Sequence, residues 1–152
     1  MKRRIFIQAG GVASLAMVAP FLVAAHAQST GSTGLKGKKK PGLVIQVSDN
    51  DPAKWNLALN NAKNVQDELG AANVDIEIVA YGPGISMLKL ESSSGSRIAE
   101  AMKANVKIVA CENTMRGQKL TKDDMLGGIS YVNAGVIEIM TKQGEGWAYV
   151  RP

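Results

Sequence analysis

Histidine and cysteine each occur once in this 152-residue chain, as His26 and Cys111, and aromatic residues make up only 5% of it. The histidine lies in a stretch with the marks of a leader. The chain opens Lys2-Arg3-Arg4-Ile5-Phe6-Ile7, runs through Ala-, Gly- and Val-rich residues, and reaches Ala25-His26-Ala27. A basic start, an apolar middle and an A-x-A ending define a cleavable signal peptide, expected over 1–27. The paired arginines followed by x-Phe-Ile fit the twin-arginine route, with the general secretory route as the alternative. Gly10, Gly11 and Pro20 interrupt the apolar stretch, which argues against a retained anchor. The expected location is the periplasm, with no stable membrane insertion after cleavage.

Loss of the leader removes His26. A mature chain without histidine has no Ser-His-Asp or Cys-His machinery and no imidazole for a zinc or copper site. No cofactor and no metal centre is therefore expected. A Cu(I) site built from Cys111 with Met115 or Met125 is the weakest alternative, because these soft ligands form no compact motif.

The formal net charge of +5 also has a local origin. Lys2, Arg3 and Arg4 belong to the leader, and Lys36, Lys38, Lys39 and Lys40 to the segment after it. The remainder carries eleven basic residues against all thirteen acidic ones, about −2 from Pro41 onward. A basic folded surface is thus missing, and with so few aromatics no nucleic-acid partner is expected. Residues 28–40 are rich in Ser, Thr, Gly and Lys and read as a flexible linker. Residues 41–152 suit a single domain with one core.

That domain is patterned in short apolar runs separated by helical stretches. Leu43–Val47 is bounded by turn residues and reads as a buried strand. Asp51-Pro52 supplies an N-cap and a first-turn proline. Trp55, Ala58, Leu59, Ala62, Val65 and Leu69 then mark one helix face, closed by Gly70. Val74–Ala80 is a second strand, stopped by Tyr81-Gly82-Pro83-Gly84. This G-x-G lacks a third glycine and a helix opening directly after it, so a dinucleotide loop is rejected. The turn can still lend N–H groups to a small anion.

A helix with Ile98, Ala101 and Met102 on its apolar stripe ends at Asn105, and Val106–Cys111 is the third strand. Thr121-Lys122-Asp123-Asp124 fits a capping box. Ile129–Val132 is the fourth strand. Val136, Ile137, Ile139 and Met140 form the expected buried face of a helix closed by Gly144. Trp147–Val150 is the last strand. The order βαβαβαβαβ predicts a three-layer α/β/α fold with a mostly parallel five-stranded sheet covered on both faces.

Parallel strands bring their carboxyl ends to one rim, where open α/β sheets hold ligands. The rim candidates are Asp49, Asn50, Tyr81, Gly82, Gly84, Cys111 and Asn133. A lone cysteine is often a small buried hydrophobe. This one ends an apolar strand, precedes a short helix and has polar neighbours, conditions that favour a thiolate. The backbone N–H groups of Asn113 and Thr114 and the guanidinium of Arg116 are the candidate stabilisers. Glu112 would oppose them if it faced the sulfur. An exported chain with one cysteine has no internal disulfide partner.

The stretches Asp51-Pro52-Ala53-Lys54-Trp55-Asn56-Leu57-Ala58-Leu59-Asn60-Asn61, Val79-Ala80-Tyr81-Gly82-Pro83-Gly84, Ala110-Cys111-Glu112-Asn113-Thr114-Met115 and Gly146-Trp147-Ala148-Tyr149-Val150 resemble the DsrE/DsrF-like family of sulfur-relay proteins, most closely its branch of small, partly exported members. The resemblance implies a three-layer α/β/α fold and a homo-oligomer such as a trimer or hexamer. It also implies sulfur donor and acceptor proteins, and a cysteine that carries sulfur as a persulfide, here Cys111. The alternative function is a non-catalytic oligomeric module that binds a small ligand or a redox partner at the rim.

Overall fold

The computed structural model describes residues 39–152; the expected leader and most of the expected linker lie outside them. Five strands, β1 (Gly42–Val47), β2 (Asp75–Ala80), β3 (Val106–Cys111), β4 (Ser130–Val132) and β5 (Ala148–Val150), form one sheet in the order β4-β3-β2-β1-β5. Every pairing is parallel. The helices are α1 (Pro52–Leu69), α2 (Gly95–Lys103), α3 (Glu112–Gly117) and α4 (Gly135–Gly144). The expected three-layer α/β fold is therefore the observed one.

The topology follows from crossover handedness. Successive right-handed crossovers from β1 to β4 place their helices on one face, and the return from β4 to β5 places α4 on the other. The first face carries the large core, in which Ile45, Ile78, Ile85, Leu88, Ile98 and Ile108 are all essentially inaccessible to water. Each such side chain contributes roughly 1.5–3 kcal/mol through burial. The second face carries a small core of Val44, Val79, Val109 and Ile139.

Local chemistry fixes the element ends. The Asp51 carboxylate accepts from the Ala53 N–H at 2.8 Å, and Pro52 opens α1 without an orphan donor. Trp55 is buried, and its indole N–H donates to the Asp49 carbonyl at 2.8 Å, tying α1 to the end of β1. The Thr121–Asp124 capping box is present in a 3-10 turn over Lys122–Asp124.

Three expectations need correction. Leu69 does not join the buried face of α1 but is exposed: an 18-residue helix is about 27 Å long against about 20 Å for the six-residue strands, and its fully buried residues end at Ala62. A helical turn does open at the G-x-G: a 3-10 helix spans Gly82–Leu88, although the third glycine is still missing. A Cβ on Gly84 would collide with the Val47 carbonyl oxygen, so glycine lets this turn lie directly on the end of β1. On α4, only Ile139 of the expected face is buried, while Val136, Ile137 and Met140 are 51, 56 and 62% exposed. Among the described residues this helix lies alone over its side of the sheet, so none of the other described helices takes up its flanks.

Beneath α4 the sheet buries a charge. The Glu77 side chain is 1% exposed, with one oxygen 3.1 Å from the Lys107 ammonium and the other, Oε1, without a partner. Lys107 also lies 3.8 Å from Glu138, which lies 3.8 Å from Lys142. Burial pushes the Glu77 carboxyl above its ordinary range, and the opposing pull of Lys107 is smaller. The folded chain thus holds this proton more tightly than the unfolded chain does. The resulting stability is complete below the unfolded value and is lost as pH rises through the raised folded value. The Glu77→Gln variant is accordingly expected to gain on the wild type between about pH 4 and about pH 7, read as urea midpoints at the two pH values.

Candidate functional site

Cys111 is the last residue of β3 and the N-cap of α3, so its sulfur sits where a strand becomes a helix. Strand alternation places it with Val109 on the α4 side of the sheet. The residue is 5% exposed. Its thiol donates to the Asn133 carbonyl across 4.0 Å, and the same carbonyl accepts the Asn113 N–H at 3.0 Å. This joins the start of α3 to the loop between β4 and α4.

The groups around the sulfur pull its titration in opposite directions. Burial is the largest single influence and raises the thiol, but the Thr114 hydroxyl and the N–H groups of Gly135, Thr114 and Asn113 oppose it. Together they hold Cys111 below the usual thiol value. Gly135 is the first residue of α4, so a second helix start also points at the thiol. Its Cα lies against the site, since a Cβ there would come within 3.3 Å of the Cys111 Cβ, 3.2 Å of the Tyr81 Cβ and 3.1 Å of a Val79 methyl.

The predicted site residues separate into two groups. Cys111, Asn113, Thr114, Asn133, Tyr81 and Gly82 come together. The Gly82 N–H donates to the Thr114 hydroxyl oxygen at 2.9 Å, and the Gly82 carbonyl accepts from the Gln118 amide at 3.2 Å. Arg116 belongs to this assembly in a different part from the one expected. Its guanidinium donates to the side-chain oxygens of Asn113 and of Asn133, the latter at 2.9 Å, and so braces the rim. Glu112 is drawn toward Lys122, 3.9 Å away. Gly84 serves the close packing on β1.

Asp49 and Asn50 stay at the end of β1. Lys54 at 3.1 Å and Arg151 at 3.3 Å hold the Asp49 carboxyl below its ordinary value, and Asn50 is exposed. Beside them the Tyr149 hydroxyl donates to Gln46 at 2.6 Å. Burial, and next the neighbouring Tyr149, raises the Tyr81 phenol. Gly135 was not anticipated as a site residue; the only sequence signal was a small residue following the end of β4.

Among the described residues no group of three or more His, Cys, Asp or Glu side chains is placed to hold a metal ion. No described helix is long and apolar enough to cross a membrane. A groove of about 370 Å³ between α1 and α2, lined in part by Lys63, Gln66, Arg97 and Val106, lies over the opposite face of the sheet from the thiol.

A parallel α/β sheet with a cysteine capping a helix at its strand-end rim defines the class. The model of the DsrE/DsrF-like family matches residues 40–152, and the chain belongs to that family. At family level this membership points to sulfur relay. A solved structure from Methanobacterium thermoautotrophicum, MTH1491, of unknown function, is 34% identical, with a TM-score of 0.71 over 74% of this chain and 100% of its own. BT1422 from Bacteroides thetaiotaomicron (14% identity, TM-score 0.59, 73% of this chain and 94% of its own) shares the fold. So does the ychN protein of E. coli (9%, 0.60, 75% and 100%). No curated protein matches the chain.

The lowered thiol leads to a measurable result. The pH midpoint for alkylation of Cys111 by iodoacetamide is expected to lie lower in the native protein than in the same chain unfolded in urea. Equal midpoints would show that the donors do not act on the sulfur.

Proposed function

We propose that this chain is a periplasmic sulfur carrier that holds sulfane sulfur as a persulfide on Cys111. The observation carrying this reading is the thiol at the strand-end rim, surrounded by N–H and O–H donors that favour its anion. Membership of the DsrE/DsrF-like family supplies the chemical context. The periplasmic location rests on the leader-like start of the sequence, read as a twin-arginine signal.

The chemistry requires only sulfur nucleophiles. The Cys111 thiolate attacks the outer sulfur of a donor persulfide, R–S–S⁻. A Cys–S–S⁻ bond forms, the donor S–S bond breaks, and R–S⁻ departs. An acceptor thiolate then attacks the outer sulfur of Cys–S–S⁻, becomes the persulfide and releases the Cys111 thiolate. Charge is conserved and no external oxidant or reductant enters. Rates in such exchange follow thiolate fraction, access and leaving-group pKa. The amides around Cys111 bear on the first and third of these, because the group they stabilise is the attacking thiolate in loading and the leaving thiolate in unloading.

Polysulfide incubated with the purified protein in the absence of reductant is expected to add sulfur to the intact mass. Reductant should reverse the gain, and Cys111→Ser should abolish it. A thiol that gains no sulfur and resists alkylation until the chain unfolds would sink the carrier and leave the rim-binding module.

The carrier is further proposed to work as a homo-oligomer, a trimer or hexamer, that exchanges sulfur with donor and acceptor proteins. Parallel sheets are ordinarily covered on both faces, yet among the described residues one face has α4 alone, with Val136, Ile137 and Met140 turned outward. A second copy is the covering this reading supplies. Sedimentation should give an assembly for the wild type and a smaller species for Ile137→Glu/Met140→Glu, whereas a monomeric wild type overturns it.

A further inference from the structure

Arg116 stands on the rim beside Cys111 with a charge that the thiol itself does not use. Its Nη2 donates to the side-chain oxygen of Asn113 and, at 2.9 Å, to that of Asn133. The same two residues flank the sulfur. The Asn133 carbonyl lies 4.0 Å from the thiol sulfur and accepts the Asn113 N–H. Asn133 thus meets the thiol with its backbone and the guanidinium with its side chain. These contacts and the width of one asparagine place the guanidinium within roughly 10 Å of the sulfur, one Debye length at 0.1 M salt.

Both partners of Arg116 are neutral. An amide oxygen orients a guanidinium without cancelling its charge, whereas a carboxylate at either position would cancel it. Other cations at this end of the sheet have carboxylate partners. Lys54 and Arg151 share Asp49, and Lys122 faces Glu112. Among the described residues no carboxylate pairs with Arg116. The residue is exposed, and a guanidinium also carries N–H donors on Nε and Nη1 with which to meet an approaching anion.

Sulfur exchange gives such a charge a use. The Cys111 thiolate and the donor R–S–S⁻ are both anions, so their approach is repulsive. Groups that favour the thiolate leave the second anion unbalanced. We propose that Arg116 is the specificity-determining residue of the rim, receiving the negative charge of a persulfide or polysulfide chain whose sulfur is under attack. The proposal rests on the reading of Cys111 as a sulfur carrier and deepens it by naming the charge its donor must bring. It gives the brace between Asn113 and Asn133 a part in binding as well as in packing.

Two alkylating reagents of similar shape test it on the intact protein. Iodoacetate carries a carboxylate next to the carbon under attack, and iodoacetamide is neutral there. Their rate ratio at Cys111 cancels any change in the thiol itself. The ratio of iodoacetate to iodoacetamide is expected to fall about threefold in Arg116→Gln, the scale of one exposed charge pair. Arg116→Lys keeps the charge and should keep the larger part of the preference. If the glutamine variant unfolds, a salt series on the wild type decides, because the preference should fade as ionic strength rises. A glutamine variant with the wild-type ratio, a lysine variant as low as the glutamine one, or a ratio indifferent to salt overturns the proposal. Sulfur loading from inorganic polysulfide and from glutathione persulfide then identifies the source of the chain. Slowing of the first alone in Arg116→Gln assigns the inorganic chain, and slowing of both admits organic persulfides. Slowing of neither overturns the proposal. Alkylation needs no sulfur donor, so the two ideas fail separately. An Arg116-dependent ratio without a sulfur adduct in the wild type removes the carrier alone. An adduct with an Arg116-independent ratio removes the Arg116 role alone.

Discussion

Parallel pairing in register is the constraint on which the site depends. Ala80 pairs with Ala110, and Cys111 with Val132, so β2, β3 and β4 end side by side. The residues that follow those ends, Gly82, Glu112 to Thr114 and Asn133 to Gly135, therefore meet without any long loop. A slip of one residue in β3 would turn Cys111 to the opposite face, into the core beneath α1 and α2 and away from Gly135. Backbone hydrogen bonding, rather than any contact of the thiol itself, decides which donors the sulfur meets.

The same register explains the division of the two faces. Alternate residues of β1, β2 and β3 feed a deep core under α1 and α2, where isoleucine and leucine fill the space. The residues between them feed the thin layer under α4, which includes Glu77 and Lys107 as well as three valines. An unpartnered buried oxygen on Glu77 is costly, and it survives in the layer that contributes less to the core. The α4 layer thus carries both the buried charge and the second helix start at Cys111.

Much of this was legible in the sequence because each strand is an apolar run closed by turn residues. Leu43–Val47, Val74–Ala80 and Val106–Cys111 announce β1, β2 and β3, and Asp51-Pro52 announces the start of α1. The strand-end position of Cys111 followed directly. What remained hidden was tertiary. Val136, Ile137 and Met140 have the composition of a buried face, but sequence periodicity does not count the layers packed against a helix. Gly135 reaches Cys111 through a crossover, so no local spacing reveals it. Arg116 looks like a cation for the thiolate by proximity alone, and only the positions of Asn113 and Asn133 show what its guanidinium grips.

The electrostatics of the thiol then follow from what the described chain contains. Burial raises the Cys111 thiol, and donors from α3 and α4 more than offset it. These donors are peptide N–H groups and a hydroxyl, whose charges do not change across ordinary pH. A site relying on histidine would pass through a second ionisation near neutrality. With Glu112 and Arg116 engaged elsewhere and no histidine in the described residues, the sulfur is tuned by fixed dipoles that need little reorganisation when its charge appears. Such dipoles stabilise the thiolate equally whether it is about to attack or has just been released. In the proposed carrier that symmetry matters, because loading and unloading are one exchange run in opposite directions, and a group that favoured one alone would trap the sulfur or refuse it.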